Sequence, residues 1–149
     1  MIGRVRAGIV VSHPIQYFSP LYDLLEDRGA VDLTVAYGND AGERPVWDPG
    51  FGTSYRWDVD LVGGHRHEFL THGAHPSRLE IARGFSRLVE LIRGWDVAVI
   101  SGYSTSLTAA AIAACRIVSV PYLLRSDTSK RAAHPILSPR HWWPRCASR

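Results

Sequence analysis

Residues 8–28 constrain the fold more than any other stretch, because their pattern predicts a strand, a loop and a helix in that order. The apolar run Ile9–Val11 predicts the strand, and Ser12–Pro14 ends it. Ser19 is predicted to be the N-cap of the helix. Pro20 suits the first helical position, because an N–H group there has no partner within the helix and proline has no N–H to leave unpaired. Leucines at helical spacing follow, and a glycine is placed to end the helix near residue 28.

The rest of the chain continues to alternate strands and helices. Further strands are predicted at Val31–Tyr37, Arg66–Leu70, Asp96–Ile100 and Pro121–Leu124, and further helices at 78–93 and 104–118. Residues 41–64 are rich in Gly, Pro and aromatics and predict an ordered insertion with a short extended piece near Trp57–Leu61. This alternation predicts an α/β fold with a Rossmann-like parallel sheet, and the strand order 3-2-1-4-5 is adopted by analogy.

The basic charge of the chain is concentrated at its end. Residues 1–124 hold 11 Lys and Arg against 13 Asp and Glu, a net charge of −2, whereas residues 125–149 hold 6 against one, a net charge of +5. The charges are scattered rather than blocked, which favours an irregular tail over a nucleic-acid-binding arm. Peripheral contact of this tail with an anionic membrane surface stays open. The predicted domain is therefore residues 1–128, followed by an irregular basic tail at 129–149.

The N-terminus lacks the apolar segment of a secretory signal, and no apolar run approaches a membrane span. The expected location is the cytoplasm, with the inner face of the membrane as the alternative. Cys115 lies on an apolar helix and is predicted to be a core residue. Four histidines lie between residues 65 and 75, but their spacing matches no standard zinc set, so neither a metal nor a cofactor is predicted.

The segment SHPIQYFSPLYDLL, residues 12–25, resembles the opening of family 4 glycosyltransferases, which have the two-domain GT-B fold. The segments WDPGFGTSYRWDVDLVGGHRHEFL, DVAVISGYSTSL and PYLLRSDT extend this resemblance from about residue 7 to 128. It implies an N-terminal, acceptor-side domain that lacks its donor-binding domain. The early end and the unusual composition of the tail suggest a truncation or a frameshift.

The resemblance also implies a function. The full enzyme would transfer a sugar from a nucleotide-sugar donor to a hydroxyl of a saccharide or lipid-linked acceptor, with retention at the anomeric carbon, in polysaccharide biosynthesis. The fragment alone is expected to be inactive, because the donor would bind the missing domain. Two alternatives are half of a sugar-nucleotide epimerase and a stand-alone flavodoxin-like binding module.

The loops that follow the predicted strands carry the candidate site, because parallel strands end at one edge of a sheet. His13 follows the first strand and is the candidate proton acceptor; its alternative role is to brace the loop. Gln16 and Tyr17 are candidates for binding sugar hydroxyls and stacking on a sugar ring. Packing in the core is the alternative for Tyr17.

The ends of the fourth and fifth strands supply the other candidates. Gly102, Tyr103 and Ser104 precede a predicted helix, whose free amides favour a polar ligand, and simple capping by the serine is the alternative. Arg125 and Asp127 flank the end of the fifth strand. Arg125 suits a phosphate or carboxylate, and a local salt bridge is its alternative role.

Overall fold

The central strand, β1, comprises Arg6–Val11 and is the first element of a computed structural model of the chain. The structure describes residues 3–41, 43, 46–48, 50, 52–55, 60–73, 76–102 and 106–125. The elements after β1 are α1 at Ser19–Asp27, β2 at Asp32–Tyr37, β3 at Val46–Asp48, β4 at Thr53–Tyr55, β5 at His67–Phe69, α2 at Arg78–Arg93, β6 at Val97–Ser101, α3 at Ser106–Val118 and β7 at Tyr122–Arg125.

Five strands form one parallel sheet in the order β5-β2-β1-β6-β7. Counted along the chain without the β3–β4 hairpin, this is 3-2-1-4-5, so the predicted α/β fold and its strand order are confirmed. The flavodoxin order, 2-1-3-4-5, differs from it. β3 and β4 form a separate antiparallel pair within the insertion. The predicted extended piece near Trp57–Leu61 falls largely outside the described residues.

The two faces of the sheet have different cores, because successive side chains of a strand point to opposite faces. Val10 packs with α2 and α3, whereas Val11 packs with α1. The α1 face also buries Tyr22, Leu33, Val35 and Tyr37. The α2/α3 face buries Ala36, Leu88, Ile92, Trp95, Ala98, Ile100, Ala111, Ala114 and Cys115. The predicted burial of Cys115 is confirmed, and burial raises the pKa of its thiol.

The start of α1 differs from the prediction. Phe18, not Ser19, is the N-cap residue, and no side chain caps the helix. Phe18 already has a helical backbone conformation, so Ser19 lies inside the first turn and its hydroxyl donates a hydrogen bond back to the carbonyl of Ile15 at 3.2 Å. The predicted end is confirmed, because Gly29 follows the helix with a positive φ of 58°.

The start of α2 agrees with the capping box that its sequence contains. The amide of Glu80 donates to the Ser77 hydroxyl at 3.2 Å, and the amide of Ser77 donates to the Glu80 carboxylate at 2.7 Å. The bond from the Ser77 amide, followed by a side-chain hydrogen bond from Ser77, lowers the pKa of the Glu80 carboxyl. The helix begins at Arg78, as predicted, and its C-cap is Gly94.

Gly8 is required by the packing of the central strand. A Cβ atom built on it would clash with three ring atoms of Trp95, which lies against the strand at this point. Trp95 is 7% exposed and belongs to the core of the α2/α3 face. The absence of a side chain at residue 8 thus lets an indole ring approach the sheet.

We predict that Gly8→Ala lowers the free energy of unfolding by about 1–3 kcal/mol, because the core must move to admit the new methyl group. Gly94→Ala is the matched control, since its Cβ would meet only the Leu91 carbonyl at 3.3 Å. Urea denaturation measures both variants. Equal losses in the two variants, or no loss at Gly8, would contradict the packing argument.

Candidate functional site

A pocket of about 350 Å³ lies at the edge of the sheet where its strands end. Because the strands are parallel, the loops after β1, β2 and β5 meet there with residues of α2 and α3. The described residues that line the pocket are Ser12, Gly38, Asn39, Leu70, Thr71, Pro76, Ile81, Gly84, Phe85, Leu88, Ser106, Leu107 and Ala110. None of these residues is charged, so the pocket suits a neutral ligand.

The polar rim of the pocket is held by hydrogen bonds between neighbouring loops. The hydroxyl of Thr71 donates to the carbonyl of Gly38 at 2.7 Å, and the amide of Asn39 donates to the carbonyl of Ser12 at 3.0 Å. The side-chain oxygen of Asn39 accepts from the amide of Ala41 at 2.9 Å. The side-chain nitrogen of Asn39, Nδ2, is therefore the group that can donate a hydrogen bond to a ligand.

The apolar walls of the pocket come mainly from α2 and α3. Gly84 brings α2 close to the end of β5, since a Cβ there would lie 2.6 Å from the carbonyl oxygen of Leu70. Gly38 admits Leu107 of α3 in a similar way. Two glycines thus set the width of the pocket, which no charge pattern in the sequence reveals.

His13, the predicted proton acceptor, lies beside this pocket but does not line it. Its Nδ1 atom is 2.9 Å from the hydroxyl of Ser12, a pocket residue. The ring is partly buried, and this burial lowers the pKa of His13. A histidine with a lowered pKa is neutral at pH 7 and can accept a proton. Both predicted roles, proton acceptor and loop brace, stay predictions.

Gln16 and Tyr17 are both exposed, and Tyr17 is 67% exposed. The alternative role of Tyr17 in core packing is therefore wrong. Its ring lies 4.6 Å from the ring of the adjacent Phe18, centroid to centroid. Their role in sugar binding stays a prediction.

Gly102 and Arg125 meet where β6 and β7 end. The amide of Gly102 donates to the carbonyl of Arg125 at 2.9 Å, and Gly102 has a φ of 87°. The guanidinium carbon of Arg125 lies 3.9 Å from the centroid of the Phe18 ring, a cation–π contact that joins β7 to the loop after β1. The remaining candidates, Tyr103, Ser104 and Asp127, lie outside the described residues.

Sequence reasoning missed a buried polar chain on the α1 face. The phenol of Tyr37 lies 2.9 Å from Nε2 of His65, and Nδ1 of His65 lies 2.6 Å from the Asp23 carboxylate. A carboxylate only accepts, so Nδ1 carries a proton, and in the neutral ring Nε2 accepts from the phenol. Burial raises the pKa of Tyr37. The three residues lie 14 and 28 positions apart, so spacing could not have found them.

His72 also lies beside a buried carboxylate. Nδ1 of His72 lies 3.2 Å from the buried Asp40 carboxylate, whose other oxygen accepts from the amide of Gly73 at 2.8 Å. Among the described residues, no three His, Cys, Asp or Glu side chains come together in a way that could hold a metal ion. In the same part of the chain, no helix has the length and apolar character needed to cross a bilayer.

Comparisons with known proteins place the chain in no family. No family model matches it, and no curated protein matches it. Among solved structures, it is similar to the C-terminal domain of a hydrogenase from Pyrococcus furiosus, with 13% sequence identity and a TM-score of 0.47. The similarity covers 83% of this chain and 92% of that domain. A likeness of this degree carries no argument about function.

The expected membership of glycosyltransferase family 4 is therefore corrected. Neither the family models nor the curated proteins match the chain, and a solved structure that is similar to it is a hydrogenase domain. The segments that led to this expectation are short, and much of their amino-acid pattern is what the fold itself requires. An apolar strand, a polar loop and a helix opened by proline occur wherever a parallel sheet of this kind is built.

The lowered pKa of His13 predicts a pH dependence of stability. The folded protein holds a proton on His13 less readily than the unfolded chain does. The free energy of unfolding is therefore not reduced by His13 above about pH 6.5, and it falls as the pH drops below that value. NMR titration of the ring should give a pKa below the ordinary histidine value. His13→Gln should weaken the loss of stability between about pH 6.5 and 5. A ring that titrates at or above the ordinary value would contradict this prediction.

We predict that Tyr37→Phe lowers the free energy of unfolding by about 1–3 kcal/mol, because it leaves a buried ring nitrogen of His65 without its partner. Tyr122→Phe is the matched control: this half-buried tyrosine packs on the opposite face of the sheet. Chemical denaturation at pH 7 measures both. Equal effects would show that the buried polar chain adds no stability of its own.

Proposed function

We propose that this chain is a small-molecule-binding domain, and that its site is the pocket at the carboxyl edge of the sheet. The observation that carries the proposal is the chemistry of the lining: apolar walls with a few hydroxyl and amide groups, and no charge among the described lining residues. A volume of about 350 Å³ falls within the range of small-ligand sites.

The position of the pocket supports the same proposal. In open α/β sheets, ligands bind outside the carboxyl ends of the strands, where successive connections leave in opposite directions. Here the chain passes from β1 to β2 on one side, and β6 pairs with β1 on the other. Ser12, which directly follows β1, lines the pocket at this point.

The lining also defines the ligand class. Five apolar side chains favour an apolar body: Leu70, Ile81, Phe85, Leu88 and Leu107. Asn39 can donate a hydrogen bond, and the hydroxyls of Ser12 and Thr71 can accept one. We therefore infer a neutral, mainly apolar ligand that carries a few hydroxyl or amide groups.

A saccharide joined to an apolar chain without a phosphate group belongs to this ligand class, and it is one form of the saccharide or lipid-linked acceptor expected from the sequence. Transfer of a sugar to a hydroxyl of such a ligand stays a prediction, with His13 as proton acceptor beside Ser12. The distance of 2.9 Å between Nδ1 of His13 and the Ser12 hydroxyl supports this placement of the base. A nucleotide-sugar donor would have to bind elsewhere, because the described lining offers no cation for a diphosphate.

The test uses hexyl β-glucoside as probe, with hexanol and glucose as its separate halves. Each is titrated into the isotopically labelled protein while amide NMR shifts are recorded. We expect the glucoside to shift the amides of Asn39, Thr71 and Ala110. Shifts with hexanol alone would assign the pocket to apolar ligands, and shifts with glucose alone to saccharides. No shift at these amides with any of the three would contradict the proposal.

Ala110→Leu should fill the pocket and weaken glucoside binding at least tenfold, because this alanine of α3 lines it. Ala109→Leu is the matched control, since Ala109 is the preceding residue of the same helix, is exposed and lies outside the lining. Equal affinities of the two variants would place the binding site elsewhere on the protein.

A further inference from the structure

A second group of polar side chains lies at the same sheet edge but on the opposite face. Ala98 and Ile100 of β6 pack on α2 and α3, so Ser101, one residue further, points to the α1 face. Arg125 is its register partner on β7 and shares that face. The contact of Arg125 with Phe18 confirms this direction, since Phe18 packs with the α1 core.

Two hydroxyls of this group are buried without a partner. Tyr22 is 2% exposed, and its phenol oxygen makes no hydrogen bond to any described residue. The buried hydroxyl of Ser101 likewise has no hydrogen-bond partner within the described ranges. Buried polar groups are nearly always paired in folded proteins, so two such hydroxyls at one sheet edge suggest a ligand.

Phe18 links these hydroxyls to the guanidinium group. Its ring is stacked with that of Tyr22, at 6.3 Å between centroids and an angle of 17°. The guanidinium carbon of Arg125 lies 3.9 Å from the centroid of the Phe18 ring. The charge of Arg125 also reaches the phenol: burial raises the pKa of Tyr22, and Arg125 opposes that rise. The cation and the phenol thus lie within electrostatic range of each other.

We propose that Arg125, Tyr22 and Ser101 bind an oxyanion, the carboxylate or phosphate group of a small ligand, on the α1 face of the sheet edge. A guanidinium only donates hydrogen bonds, and both hydroxyls can donate. Three donors, one of them charged, match an oxyanion better than a neutral acceptor. Stacking on Phe18 holds the plane of the guanidinium, whose planar fork of N–H donors matches the geometry of an oxyanion.

This site is distinct from the pocket of the proposed function. The pocket lies on the α2/α3 face and has no charged residue among its described lining, whereas the oxyanion site has Arg125 and lies on the α1 face. None of its three residues lines the pocket. The two proposals can therefore fail separately.

The test titrates inorganic phosphate and, separately, acetate into the whole chain at constant ionic strength, because added salt alone screens charges. Amide NMR shifts and the melting temperature are recorded. We expect shifts at Tyr22, Ser101 and Arg125 and a rise in melting temperature. A response to phosphate alone assigns a phosphate group, and a response to acetate alone assigns a carboxylate; a response to both supports an oxyanion site without selectivity.

Variants separate this site from general charge attraction. Arg125→Gln should weaken binding at least tenfold, and Arg125→Lys should restore only part of it, because lysine keeps the charge but not the planar fork. Arg116→Gln on α3, an exposed position, is the matched control and should bind as the unchanged protein does. Equal weakening in the Arg125→Gln and Arg116→Gln variants would overturn the proposal.

Tyr22→Phe gives an independent test that does not rely on the arginine. If the phenol has no partner in the ligand-free protein, its removal should raise the melting temperature without ligand and also weaken oxyanion binding. A lower melting temperature without ligand would show that the hydroxyl is already satisfied. That result, or the absence of a response to both anions, would overturn the proposal.

Discussion

The pairing of β1 on both sides is the constraint on which the rest of the structure depends. β2 and β6 both run parallel to it, so it contributes Val10 to one core and Val11 to the other. Gly8 admits the ring of Trp95 against its surface. Because Ser12 and His13 follow this strand directly, the position of the pocket is set by the same pairing that holds the two layers together.

The alternation of side chains along the strands divides the sheet edge into two chemically different faces. On the α2/α3 face, apolar side chains and neutral polar groups line the pocket. On the α1 face, Arg125 lies against Phe18, near the buried hydroxyls of Tyr22 and Ser101. One edge can therefore offer a neutral site and a positively charged site a few residues apart, because consecutive residues of a strand point in opposite directions.

The resemblance to glycosyltransferases shows that short sequence segments predict local structure better than they predict function. Residues 8–28 predicted their strand, loop and helix correctly, but many α/β proteins need the same sequence of elements. Function depends on which loops meet, and that information is not contained in any one segment. His13 illustrates the point: the sequence placed it after a strand, yet the structure puts it beside the pocket rather than in its lining.

The sequence by itself determined the strands of the parallel sheet and their helices, because hydrophobic periodicity, the Ser77–Glu80 capping box and the glycines after α1 and α2 act over a few residues. The β3–β4 hairpin was predicted only as part of an ordered insertion. The alternation of elements also predicted a parallel sheet, and analogy supplied its order. Only the tertiary structure decided which distant side chains share a site. The Asp23, Tyr37 and His65 chain, the burial of Tyr22 and the pocket between two close-packed helices all depend on contacts across layers. Such contacts are fixed by packing in three dimensions, which leaves no regular spacing in the sequence.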